Sequence, residues 1–297
     1  MTPRADFAAS TPSLRALWLT LVLAVALAMA APAARAGRSC EAHALTPQTV
    51  ERGLQLAQRT QQALDASGAQ VVLLARAGQD LSRYGVRWSH LGIAYRQPDA
   101  GSPGGSVWRV LHKLNQCGSA EAAVYRQGLG EFFLDDLWRF EAAWVVPSPE
   151  VRKQLLALLR DGGSEARAPR ALALHHKAYN IVSYAWSQTY QQSNQWAIET
   201  LALAMEPSVV APGGEPVAAS RQRAQAWLQF KGYAPAALTI GPLTRLGGRM
   251  TAANVAFDDH PNEKRFADRI ETVTVDSVFT WIPRAGLGAA PVRLALP

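Results

Sequence analysis

Two β-rich runs joined by a breaker-rich turn constrain this chain more than any other feature. WSHLGIAYR (88–96) alternates apolar and polar residues, and SVWRVLHKLNQ (106–116) does the same. Between them lies PDAGSPGGS, a cluster of glycine, proline and serine that cannot continue either run. Two such runs across a short loop pair as an antiparallel hairpin. Each carries one histidine, His90 on the first and His112 on the second. Pairing brings the two strands side by side, so both rings can share one face.

Helical and extended patterns alternate around the hairpin. Residues 46–68 show a cap-like threonine, helical apolar spacing and a glycine stop, which predicts a helix. Residues 69–78 and 141–149 read as strands, and 151–163 as a helix ending in paired glycines. The stretch 121–140 reads as one or two short helices, and 172–192 as aromatic and irregular. An amphipathic helix then opens near Ser193, and a further one is predicted over 221–233. Residues 236–250 read as interrupted strand, and ETVTVDSVFTWI (271–282) as a β-branched run. The sum is an α+β fold, an antiparallel sheet packed by helices.

The N-terminus points to export. Arg4 and Arg15 precede an apolar run over 16–30, and Ala34-Arg35-Ala36 offers small residues at the positions a signal peptidase reads. The run is shorter than the roughly 20 residues a spanning helix needs. Residues 1–36 are therefore read as a signal peptide, leaving a periplasmic or extracellular chain with no later transmembrane segment. The mature chain divides into 37–205, a linker or loop over 206–220 rich in proline and glycine, and a C-terminal extension over 221–297.

Removing Arg4, Arg15, Arg35 and Asp6 takes the formal charge from +7 to +5. The basic residues are scattered without aromatic interleaving, so nucleic acid is not expected as a partner. Cys40 and Cys117 are the two cysteines. In an exported chain two thiols pair, which predicts a Cys40–Cys117 disulfide. The competing reading makes Cys117 a free catalytic thiol between a strand end and a helix start.

Ser193 has two readings as well. A nucleophile at a helix N-terminus gains from the positive end of the dipole. Serine is equally a preferred cap and needs no other reason to stand there. Trp186 and Tyr190 lie on the approach to it, either packed in the core or lining a groove for a peptide, acyl or glycan group. His175 and His176 sit in a loop. Asp258, Asp259, His260 and Glu263 read as a solvated turn, so neither group is taken as a metal site and no cofactor is expected.

The order of WSHLGIAYR, LDDLWRFEAAWVVPSPEVRKQLL, AYN and QSNQWAIETLA resembles the circularly permuted branch of the NlpC-type papain-like superfamily over about residues 70–205. HKLNQCGSAEA, GLGEFFLDDLW, YQQSNQW and NVAFDDHPNEKRF together resemble a bacterial family known only as a domain of unknown function. The first resemblance implies a permuted papain-like core. It implies His90 as catalytic histidine, His112 as the third polar member with Asn115 as fallback, and Ser193 where the superfamily carries cysteine. It thus implies either a serine-variant amide or ester hydrolase or acyltransferase, or a cleft that has lost catalysis and binds a cell-wall peptide or lipid. A third reading is an accessory envelope protein acting through a protein partner.

Overall fold

The computed structural model describes residues 46–297 apart from 103, 136, 161–169 and 207–217. The segment read as a signal peptide, Cys40, and most of the proposed linker lie outside the described residues. The chain is α+β, with eight helices among the described residues and a six-stranded antiparallel sheet.

Helix α1 (Pro47–Ala66) is capped by Thr46, whose hydroxyl accepts from Thr49 N, with proline at its first position. Strand β1 (Val71–Ala77) follows, then β2 (His90–Pro98), β3 (Ser106–Asn115) and β4 (Ala122–Gly128). A short helix α2 (Leu129–Phe133) leads to β5 (Arg139–Val145) and α3 (Pro149–Arg160). The strands lie in the order β4-β3-β2-β1-β5, and β8 (Val292–Ala295) from the C-terminus closes the far edge. The hairpin read from sequence is present, with Ile93 opposite Leu111 and Tyr95 opposite Arg109.

β1 is buried along its whole length because helices cover both faces of the sheet. Strand residues alternate between faces. Val71 and Leu73 join a core with α3 and α4 (Ser193–Met205), while Val72 and Leu74 join another with α1 and α2. Helix α4 packs across β2 and β3 and is buried from Ser193 to Leu203. A helix apolar all round would suit that place, yet α4 buries Glu199. Its carboxylate is met by Arg221 Nε at 2.8 Å and Gln225 Nε2 at 2.7 Å, both from α5 (Arg221–Phe230), and by Gln191 Nε2 at 2.5 Å.

After α5, β6 (Ala236–Thr239) pairs with β7 (Arg269–Thr272) in a separate two-stranded sheet. Between them lie α6 (Pro242–Thr251) and α7 (Asn262–Phe266), and after them α8 (Val275–Arg284). This small sheet has its own apolar cluster, built on Leu238, Ile240, Phe257 and Ile270. All described residues belong to one compact unit.

Three segments differ from the sequence expectation. Residues 122–128, read as helical, form β4, because Ala122 to Gly128 pair residue for residue with β3. Residues 242–251, read as strand, form α6. Pro242 stands at N1, and Gly247-Gly248 are tolerated inside the helix although they read as breakers. The β-branched run 271–282 divides into the end of β7 and helix α8. The break falls at Thr274, which caps α8 reciprocally with Ser277.

Candidate functional site

A cavity of about 470 Å³ lies between the ends of β1, β2 and β3 and the small sheet. His90, Asn115, Tyr179 and Ser193 line its polar end. Leu238, Ile240, Val255 and Phe257 line the other end, with Leu81 and Val86 beside them.

His90 opens β2, opposite Arg76 on β1. Its Nε2 lies 2.8 Å from His112 Nδ1, and His112 Nε2 lies 2.7 Å from Gln127 Oε1 on β4. The amide oxygen only accepts, so His112 Nε2 carries its proton and Nδ1 accepts. His90 Nε2–H then donates to it, and Nδ1 becomes the basic nitrogen of a neutral His90. His112 is fully buried. Burial, and then the charge of Arg76, push its pKa from 6.5 down to about 4. It is therefore neutral at pH 7 and available as an acceptor.

Close packing fixes this pair. A Cβ on Gly92 would stand 2.7 Å from Val110 Cγ1 and 3.2 Å from His112 Cβ. Only glycine lets β3 carry His112 this close to β2. Phe132 of α2 stacks edge-on against His112 at 5.2 Å between centroids. Arg76 lies over Phe132, pairs with Asp135 and donates to Phe132 O.

Ser193 is the first residue of α4, and the cap is Gln192, whose Oε1 accepts from Asn194 N at 3.0 Å. The capping reading of Ser193 is thereby replaced, and its hydroxyl is not spent on the helix terminus. Ser193 Oγ lies 3.3 Å from Tyr179 OH and is almost fully buried. Asn194 Oδ1 accepts from Leu91 N at 2.9 Å, and Asn194 Nδ2 donates to Val273 O at 3.3 Å. These bonds pin the start of α4 to the residue after His90.

The structure thus brings Ser193, His90 and Asn115 to one cavity, with His112 directly behind His90. Asn115 is not the partner of His90. Its amide donates to Ser119 O and Glu121 O, and its oxygen accepts from Asn254. Trp186 and Tyr190 are not brought to the cavity. Trp186 packs edge-on against Tyr233, and Tyr190 OH reaches Asp258 at 3.4 Å. Cys117 sits in the turn between β3 and β4 and is not a free cysteine, which removes the free-thiol reading. Its expected partner Cys40 lies outside the described residues.

Sequence reasoning missed Tyr179, Asn194, Gln127 and the Arg76–Asp135 pair. Tyr179 stands in the AYN motif, and its place is set by the irregular segment around it. Tyr179 N donates to Ala120 O and Ile181 N to Asn254 O. Gln127 was hidden because its strand read as helix.

A family model described as an uncharacterized protein conserved in bacteria (DUF2145) matches residues 63–282, and the chain belongs to that family. No curated protein and no solved structure matches the chain.

Proposed function

Taking membership of a family without an assigned activity as the premise, we propose that the chain is an exported hydrolase or acyltransferase acting on an ester or amide. Ser193 is the nucleophile, His90 the base and His112 the group that orients the base. The observation that carries this reading is the His90–His112–Gln127 relay, placed in the same cavity as a serine at a helix N-terminus. A base needs a fixed tautomer, and the relay supplies one.

In this mechanism Ser193 Oγ attacks the carbonyl carbon while its proton passes to His90 Nδ1. The imidazolium is stabilised through Nε2–H by the neutral His112. Asn194 N is held by the cap at Gln192 Oε1, which leaves the N–H groups of Ser193 and Gln195 in the first turn of α4, without i−4 helical acceptors, to meet the developing oxyanion. Collapse breaks the bond to the leaving group, which takes the proton from His90. Water or an acceptor hydroxyl then attacks the acyl-serine, gives its proton to His90, and Ser193 regains one. The test is covalent labelling of Ser193 by a fluorophosphonate in the folded protein, lost in His90→Gln. Absence of labelling opposes the reading.

One observation favours a second reading. Ser193 Oγ hydrogen-bonds to Tyr179 OH, a neutral partner that does not activate it. On this reading the cavity is catalytically silent and holds a cell-wall peptide or lipid. It predicts ligand-induced stabilisation that persists in Ser193→Ala. Export belongs to both readings, and N-terminal sequencing of the secreted chain should find Gly37 first. The accessory reading, in which a protein partner docks on the C-terminal part, predicts co-purification lost on truncation after Pro207.

A further inference from the structure

Helix α6 is amphipathic in the opposite sense to the helices that pack on the main sheet. No residue of it is buried. Leu243, Leu246 and Met250, spaced to share one face, are 83%, 58% and 67% exposed. The inward side carries Arg245, which donates to Ile240 O at 2.6 Å and to Asp268, and Gly248, against which Val255 packs. The apolar side therefore faces out and the polar side faces in. Soluble surface helices have the reverse arrangement.

This helix borders the cavity. Thr244, Gly248 and Thr251 from its inner side are part of the lining, next to the apolar end formed by Leu238, Ile240, Val255 and Phe257. The helix has two arginines and no acid, and Arg249 is exposed at the flank of the apolar face. Arg83 stands at the cavity as well, with its guanidinium 4.5 Å over Tyr84.

We propose that α6 seats the protein on an anionic lipid surface and that the cavity beside it takes an acyl chain drawn from that surface. Three considerations select a lipid surface over a protein. The outward apolar face is three side chains on a ten-residue helix, well below the ~20–30 residues per partner of a standard protein interface. A short helix with an apolar face and an exposed arginine at its flank, Arg249, has the form of an interfacial segment. The formal charge of +5 left without residues 1–36, like Arg83 at the cavity, suits an anionic surface. The acyl-chain half of the proposal rests on the ester or amide reading above, while the surface half stands apart from it.

Both halves are tested without turnover. The purified protein is floated with phosphatidylglycerol–phosphatidylcholine vesicles and with phosphatidylcholine vesicles alone. It should bind the anionic vesicles, and the triple variant Leu243→Ser/Leu246→Ser/Met250→Ser should bind at least about tenfold less tightly. The substituted side chains are exposed, so the variant's thermal midpoint should be unchanged. A fluorescent long-chain fatty acid should bind saturably, and Val255→Trp, which fills the apolar wall, should abolish that binding. The proposal is overturned if the wild type does not float with anionic vesicles or if the triple variant floats equally well. A wild-type dimer dissolved by the triple substitution would reassign the face to a second copy. Failure of saturable fatty-acid binding removes the acyl chain. A protein that floats but is not labelled at Ser193 has lost the catalytic reading alone.

Discussion

Removing the Arg221 guanidinium isolates a carboxylate inside the protein. Glu199 is fully buried in α4, and Arg221 is 8% exposed. The guanidinium meets both oxygens of Glu199, at 2.8 and 3.2 Å. It also donates to Ser187 O, Gln188 O and Tyr190 O, and so ties the approach to Ser193 onto α4 and α5. In Arg221→Ala, Gln191 and Gln225 still donate to Glu199, but no cation opposes it directly. Breaking a buried pair from one side costs about 3–5 kcal/mol. At about 2–4 °C per kcal/mol for a chain of this size, the melting midpoint should fall by roughly 6–20 °C. The assay is thermal unfolding followed by circular dichroism, with Glu199→Gln and the double variant run beside it. Because Glu199→Gln removes the stranded charge, the double variant should recover part of the loss. A midpoint within about 2 °C of wild type in Arg221→Ala, or a strictly additive double variant, would refute the reasoning.

Further predictions rest on the same geometry. His112 has a folded pKa of about 4 against an ordinary 6.5, because burial disfavours its charged form. Unfolding takes up a proton between those values, so stability is complete above 6.5 and is lost as pH falls toward 4. The loss amounts to about 3 kcal/mol. Urea unfolding of His112→Phe across that window should lack this component. Lys113, buried with Nζ on His176 O and Gln191 Oε1, has its pKa lowered from 10.5 to about 7, chiefly by desolvation. The wild type should therefore gain stability relative to Lys113→Met as pH rises from about 7 to 10.5, and a flat difference would count against it. Gly92→Ala should destabilise the fold by roughly 1–3 kcal/mol through overpacking. It should also shift the His112 ring resonances in NMR spectra. Cys40 and Cys117 should resist alkylation in the unfolded, unreduced protein and react after reduction, as a Cys40–Cys117 disulfide requires.

Much of the framework was legible because it depends on local pattern. The hairpin across 98–106 follows from its turn chemistry and from alternation on both sides, and it carried His90 and His112 to one place. Helix α1 announced itself through Thr46 and Pro47. The strands and helices misread were those whose state is decided by neighbours. β4 is an edge strand whose AAVYRQG has little apolar alternation, and pairing with β3 makes it extended. α6 turns its apolar face outward and contains two glycines, so neither propensity nor burial betrays it. The site was half legible for the same reason. Histidines on paired strands can be placed from register. Tyr179 and Gln127 reach the site through contacts far apart in sequence. The cap of α4 illustrates the limit on one residue. Serine is the commoner cap, yet here Gln192 accepts from Asn194 N and moves Ser193 one position inside the helix.

The most direct measurement is fluorophosphonate labelling of the folded wild-type protein, with the modified residue identified by peptide mass spectrometry. Labelling should occur at Ser193, be abolished by His90→Gln and by prior unfolding, and slow about 10²-fold or more in His112→Phe. An unmodified Ser193, or labelling indifferent to His90, would contradict Ser193 as nucleophile and His90 as base.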